Sequence, residues 1–202
     1  ANIANDPAGD LNSKLTWEVN VLASKLLIEK AIKYNVNQFI YASSGSVYGV
    51  KEETNVTENL SLIPITDYNK TKMISERVLS SYKDDITLHI IRPATVCGYS
   101  PRMRLDLTVN ILTNCAINKG EITVFGGEQM RPNIHIEDIT DLYVFLLELS
   151  QEKIHKQVFN AGYENYKVKE IAKMVQLVVG HQVLIKTMPT NDNRSYRVSS
   201  EK

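Results

Sequence analysis

The feature that most restricts how this chain folds is its alternation of two hydrophobic periods. Residues 15–34 place apolar side chains at helical spacing behind Asn12 or Ser13 as a cap, and 37–43 form a short apolar run of strand length. The exchange then repeats. A helix is predicted over 67–82, a strand over 86–92 closed by Pro93, a helix over 105–118 stopped by Gly120, and a strand over 121–125 ended by Gly126 and Gly127. A helix at 137–150, a strand at 157–161, a helix at 168–179 before Gly180 and a last strand at 182–188 complete the pattern. Such alternation predicts an α/β fold with a largely parallel, doubly wound sheet. Ligands bind beyond the carboxyl ends of strands in these sheets. The informative segments are therefore 43–49, 93–98 and 126–135. The polar loop at 50–66 is longer than most connections, which suits a functional loop.

Composition narrows the function classes. The 202 residues suffice for one packed core, or for one large domain with a small appendage. Lys+Arg and Asp+Glu are both 23, so the formal net charge is zero. That balance argues against a nucleic-acid footprint or an electrostatic membrane anchor, while leaving room for a local cationic cluster that meets one phosphorylated ligand. Cys97 and Cys115 lie outside any CxxC or Cys/His pattern. They read as buried thiols of a reducing, cytoplasmic compartment. His89, His155 and His181 are scattered and predict no metal site. No run approaches the ~20 apolar residues of a membrane span. The opening residues lack the features of a signal peptide and an initiator Met, so the chain reads as a segment of a longer protein.

The sharpest chemical signal is Tyr68-Asn-Lys-Thr-Lys72. A Tyr and a Lys four apart share one helix face. A free phenol has a pKa near 10, and a neighbouring ammonium favours its ionised form. The pair then suits general acid/base work on a sugar hydroxyl. Alone, the spacing describes a solvated helix face better. Upstream, "FIYASSGSVYG" ends a strand in Ser43 and Ser44, where a hydroxyl can hydrogen-bond the oxygen that the Tyr serves. The strand-end Ser44 and the helical Tyr-x-x-x-Lys, 24 residues on, make a Ser–Tyr–Lys constellation.

With these motifs the chain resembles the extended short-chain dehydrogenase/reductases, the NAD-dependent epimerase/dehydratase family. "TWEVNVLASKLLIEKA" is similar to the helix whose Asn, here Asn20, helps hold the cofactor site. "FIYASSGSVYG" is similar to the strand that delivers the catalytic Ser or Thr, here Ser44. "IIRPATVCGYSPR" resembles the Arg-Pro segment whose main chain runs along the nicotinamide. "VFGGEQMRPNIHIEDI" resembles the phosphate-contacting Arg followed by His-x-x-Asp, giving Arg131, His135 and Asp138. "NRSYRVSSEK" resembles the end of the substrate region, with a second Arg at Arg194.

The resemblance implies catalytic roles for Ser44, Tyr68 and Lys72. It implies cofactor contacts from Asn20, Ala42, Ser43, Tyr68, Lys72, Pro93 and Val96. It implies substrate contacts from Ser44, Thr95, Asn110, Arg131 and Arg194. NAD or NADP is the implied cofactor, a nucleotide-diphosphate sugar the implied substrate, and a homodimer the implied assembly. Residues 1–98 correspond to the later part of a Rossmann domain. Residues 99–202 correspond mainly to a nucleotide-sugar region with segments that return to the Rossmann core. On its own pattern, His135 sits between Ile134 and Ile136 and reads as a packed or hydrogen-bonding histidine, and Asp138 as a helix cap.

Departures from the family pattern refine the expectation. The Gly-x-x-Gly-x-x-Gly loop that cradles phosphates does not occur in these residues, so about 60–70 upstream residues are expected to carry the first strands. Gly45-Ser46 stands where family 4,6-dehydratases carry Asp-Glu, and no Cys follows the Ser pair, where fucose-synthase-like enzymes place one. Thr95 stands where many 4-epimerases have Asn. The favoured reaction is epimerisation at sugar C4 by hydride transfer to and from the nicotinamide. Its alternatives are NADPH-linked reduction of a 4-keto sugar, 4,6-dehydration, and a catalytically silent NAD(P)-binding relative.

Overall fold

A computed structural model describes residues 2–191 and 195–202. After a short helix α1 (Asp6–Leu11), Asn12 caps α2 (Ser13–Trp17), its side chain accepting from Leu15 N at 3.0 Å. The helix then widens into a π turn (Glu18–Leu22) before α3 (Ala23–Lys33). The predicted single helix is thus continuous but bulged. The Asn20 carbonyl accepts from the hydroxyls of Ser24, at 2.6 Å, and Ser75, at 2.9 Å. Side-chain insertion into a helical ladder favours such bulges.

Strand β1 (Gln38–Ala42) leads through a 3₁₀ turn (Gly45–Tyr48) and the long loop to α4 (Asp67–Ser80), capped by Thr66. Strand β2 (Thr87–Pro93) pairs in parallel with β1 on one side and with β6 (Gln157–Ala161) on the other. Ala42 lies opposite Ile91, and Arg92 opposite Asn160. This sheet is covered on both faces, as near-continuous apolar strands require. Ile28, Tyr41, Leu79, Leu88 and Ile90 pack on one side. Val47, Tyr48, Val56, Ile91, Ile134, Ile139 and Val198 pack on the other.

Two smaller sheets follow. Strand β3 (Thr95–Cys97) pairs in parallel with β5 (Met130–His135), which pairs antiparallel with β7 (Glu164–Lys167). Strand β4 (Glu121–Phe125) pairs in parallel with β8 (Leu184–Met188). The remaining helices are α5 (Thr108–Lys119), α6 (Ile136–Glu148), the short α7 (Gln151–Ile154) and α8 (Val168–Val179). A separate core of Leu112, Ala116, Ile122, Val124, Ile171, Ala172 and Val183 joins α5 and α8 to β4 and β8.

The α/β class and the parallel pairings agree with the sequence pattern. Strands β3, β5 and β7 and helix α1 were not foreseen. Gly120 stops α5 in the left-handed conformation, φ 65°, as anticipated. Among the described residues no helix is long and apolar enough to cross a membrane.

Candidate active site

The carboxyl ends of β1, β2 and β3 open into one cleft of about 1000 Å³. Of the residues singled out from sequence, Ser43, Ser44, Tyr68, Pro93, Thr95, Val96, Asn110 and Arg131 line it. Arg194 falls outside the described residues.

Local structure explains how Ser44 arrives there. It caps the 3₁₀ turn, its Oγ accepting from Ser46 N at 3.2 Å. The turn ends at Gly49, whose φ is 70° and whose absent Cβ would lie 2.0 Å from Ile63 O. Only glycine passes so close to that backbone. Ser43, one residue earlier, turns inward and donates to the Glu76 carboxylate. Arg92 grips the same carboxylate twice, Nε to Oε1 at 3.0 Å and Nη2 to Oε2 at 2.7 Å. Its Nη1 reaches the Tyr48 hydroxyl at 2.8 Å, which donates to Asn160 Oδ1 at 2.7 Å. This buried network ties α4 to the ends of β1, β2 and β6 directly beneath the cleft.

Tyr68 and Lys72 occupy successive turns of α4, both buried. Lys72 Nζ donates to the Ala42 carbonyl at 2.7 Å and lies 5.9 Å from the Tyr68 ring centroid and 5.1 Å from that of Tyr41. Burial pulls the Lys72 ammonium down to about 8, against the attraction of Glu76. Burial also pushes the Tyr68 phenol up to about 12; the charge of Arg104 opposes this and Asp6 adds to it, and the phenol lies within hydrogen-bond reach of Ser44. The expected depression of the phenol by its lysine is therefore not what this state shows. Desolvation outweighs the ammonium, whose proton is directed at Ala42 rather than at the phenol.

Asn20 is fully enclosed. Its side chain exchanges hydrogen bonds with the backbone of Ile3 at 2.9 and 3.0 Å and donates to Thr71 Oγ1 at 3.0 Å. It fixes α4 from behind and does not reach the cleft. Ala42 contributes its carbonyl, and Lys72 stands behind the lining residues. Thr95 Oγ1 pairs with the Tyr196 hydroxyl at 3.0 Å. Arg131 lies 5.8 Å from the Tyr196 ring centroid and donates to Met130 O at 3.0 Å. Asn110 clasps the loop after β3, accepting from Gly98 N at 3.1 Å and donating to Arg104 O at 2.8 Å. His135 is the N-cap of α6, its side chain accepting from Glu137 N at 3.4 Å. Asp138 sits in the first turn of that helix and is not its cap.

Sequence reasoning missed several lining residues, among them Ser46, Asn69, Arg102, Arg104, Lys119 and Tyr196. The i, i+4, i+8 spacing of Ile111, Cys115 and Lys119 was a helical signal that could have placed α5 along the cleft. Among the described residues no group of His, Cys, Asp and Glu could hold a metal ion.

The same fold recurs in known proteins. The UDP-glucose 4-epimerase of Lactobacillus helveticus is 27% identical over 180 residues, covering 79% of this chain and 54% of that protein. The solved UDP-glucose 4-epimerase of Thermotoga maritima superposes with a TM-score of 0.87 at 24% identity, over all of this chain and 67% of that one. The NDP-hexosamine 5,6-dehydratase TunA superposes with a TM-score of 0.83 at 22% identity, over 98% of this chain and 66% of that one. The chain spans about half the length of the curated relatives it matches. At these identities the structural likeness speaks for the fold shared by epimerases and dehydratases. The model of one family, described as NAD dependent epimerase/dehydratase, matches residues 1–162 of the 202, and with that match over most of its length the chain belongs to the NAD-dependent epimerase/dehydratase family.

Proposed function

We propose that this chain supplies the catalytic centre of an NAD(P)-dependent nucleotide-sugar epimerase that acts at C4 of the hexose. The observation that carries the reading is the convergence of Ser44 and Tyr68 on one cleft, with Lys72 one turn behind Tyr68. The residues present fit one half of a dinucleotide. The Lys72 ammonium directs one N–H at Ala42 O, and its remaining donors suit ribose hydroxyls. Pro93, Ala94, Thr95 and Val96 line the cleft where a nicotinamide would lie. Held there, a nicotinamide would supply hydride-accepting and hydride-donating chemistry beside the sugar carbon.

The protein's own groups handle the proton and the orientation. Tyr68 takes the proton from the sugar hydroxyl and gives it back, and Ser44 holds the same oxygen. Lys72 steadies the ribose and supplies the positive charge that helps the buried phenol ionise. Residues 99–202 form most of the nucleotide-sugar region. Arg131, Arg102 and Lys119 line the same cleft, and a diphosphate suits such groups, because guanidinium forks match phosphate oxygens.

Replacing Tyr68 with Phe in the full-length protein tests this. Conversion of UDP-glucose to its C4 epimer should fall by roughly 10²-fold or more, the range of a lost general acid/base. UDP-glucose binding, measured by calorimetry, should stay within about twofold, since the phenol meets only the reacting oxygen. Turnover that survives in Tyr68→Phe overturns the mechanism. Stoichiometric NADPH consumption by the unaltered protein would identify a 4-keto reductase instead.

A further inference from the structure

Beside Ser44 lies a pair of polar groups that the reaction scheme above does not use. Ser44 Oγ and Ser46 Oγ are 2.7 Å apart. Ser46 Oγ donates to Asn69 Oδ1 at 2.5 Å. Asn69 sits on α4 next to Tyr68, is 6% exposed, and is held by its own N–H to Thr66 Oγ1 at 3.3 Å. Both Ser46 and Asn69 line the cleft.

Each serine hydroxyl has one proton and two lone pairs. The Ser46 proton goes to Asn69. The proton between the two serines must then come from Ser44. One Ser44 lone pair already accepts from Ser46 N, at 3.2 Å. What Ser44 offers the cleft is its other lone pair. We propose that Ser46 and Asn69 are positioning residues that fix the direction of the Ser44 hydroxyl, turning its proton away from Tyr68 and its lone pair toward it. In the resting site the phenol gives a proton to Ser44 rather than receiving one. This deepens the epimerase reading and rests on it for its catalytic consequence, but the direction of the hydroxyl is testable alone.

The other groups that face the phenol come from every side. Asp6 comes from α1, Tyr41 from β1, Lys72 from α4, Arg104 from the loop before α5, and Tyr196 from the C-terminal segment. None of them is touched by a change at Ser46. Ser46→Ala frees the Ser44 proton to donate to the phenolate. So does Asn69→Ala, by releasing the Ser46 proton to point back at Ser44. Both should ease ionisation of Tyr68. Ser46→Thr keeps the hydroxyl and should behave as the unaltered protein.

The experiment is a pH titration of full-length protein labelled at tyrosine ¹³Cζ, the Tyr68 resonance being assigned by its loss in Tyr68→Phe. The midpoint should move down by about one pH unit in Ser46→Ala and in Asn69→Ala, as expected when a charged group gains a hydrogen bond. It should not move in Ser46→Thr. Where turnover is present, the rise of kcat with pH should move down by the same amount at unchanged KM for UDP-glucose. An unmoved or raised midpoint in Ser46→Ala, at unchanged melting temperature, overturns the proposal; a raised one would mean that the Asn69 amide presents its NH₂ to Ser46. A lowered midpoint in a protein that turns over no nucleotide sugar keeps the hydroxyl assignment and defeats the epimerase reading.

Discussion

Burial at the Tyr68–Lys72 pair works against the ionisation that proton abstraction needs. The phenol is held at about 12 and the ammonium at about 8, each by loss of water. The lysine shift has a consequence for stability that can be signed. Below pH 8 both folded and unfolded chains carry the charge, and the desolvation cost is fully present. Between 8 and the unfolded value of 10.5 the folded state sheds its proton first, so folding stability gained from this group rises with pH. Lys72→Met should be at least as stable as the unaltered protein at pH 7, and should lose that rise. Urea denaturation at a series of pH values measures both effects. At this scale Ser44, Tyr68 and Lys72 were legible, because a four-residue helical interval and a strand end are local patterns. The direction of the Ser44 proton was not. It depends on Asn69, 25 residues away in the chain, and a hydrogen-bond partner at that distance leaves no periodic trace.

Helix α4 is held against the sheet by Glu76 and Arg92, both 5% exposed. Two buried opposite charges stabilise only as a pair. Arg92→Leu leaves the Glu76 carboxylate buried with the Ser43 hydroxyl and the more distant attraction of the Lys72 ammonium, and should cost about 3–5 kcal/mol in denaturant unfolding. Adding Glu76→Met to that variant should recover much of the loss, because the unpaired charge is gone. A double variant no better than the single one would show that the network's worth lies in its hydrogen bonds to Tyr48 and Ser43 and not in charge pairing. The long elements were legible from their periods, since α3, α4, α5 and α8 each bury one face. Strand β5 was not, because Pro132 interrupts it and it lies outside the apolar runs. Strand β3 has only three residues, too few to show a period.

At the scale of the molecule, the cleft is assembled from segments far apart in sequence. The Asp6 end of α1, the turn after β1, the loop after β3, one face of α5 and the C-terminal Tyr196 all meet there. The parallel crossover order predicted that ligands gather at the strands' carboxyl ends, and this located the cleft. It did not foresee Tyr196 pairing with Thr95 or Arg104 reaching the backbone of Ala4 at 3.4 Å, since neither segment has a repeating pattern. Of the cationic side chains that line the cleft, among them Arg102, Lys119 and Arg131, only Arg131 was legible, because the family motif named it. A chain with zero net charge hides such a local cluster in its total.

The central claim is that a hydride leaves C4 of a nucleotide sugar and returns within the same site. The most direct measurement supplies the full-length protein with UDP-glucose deuterated at C4 and reads the C4 epimer by mass spectrometry. The account predicts that the deuterium stays at C4 of the product, with no net release of reduced cofactor. Deuterium lost to water, or carried away on released cofactor, would contradict it.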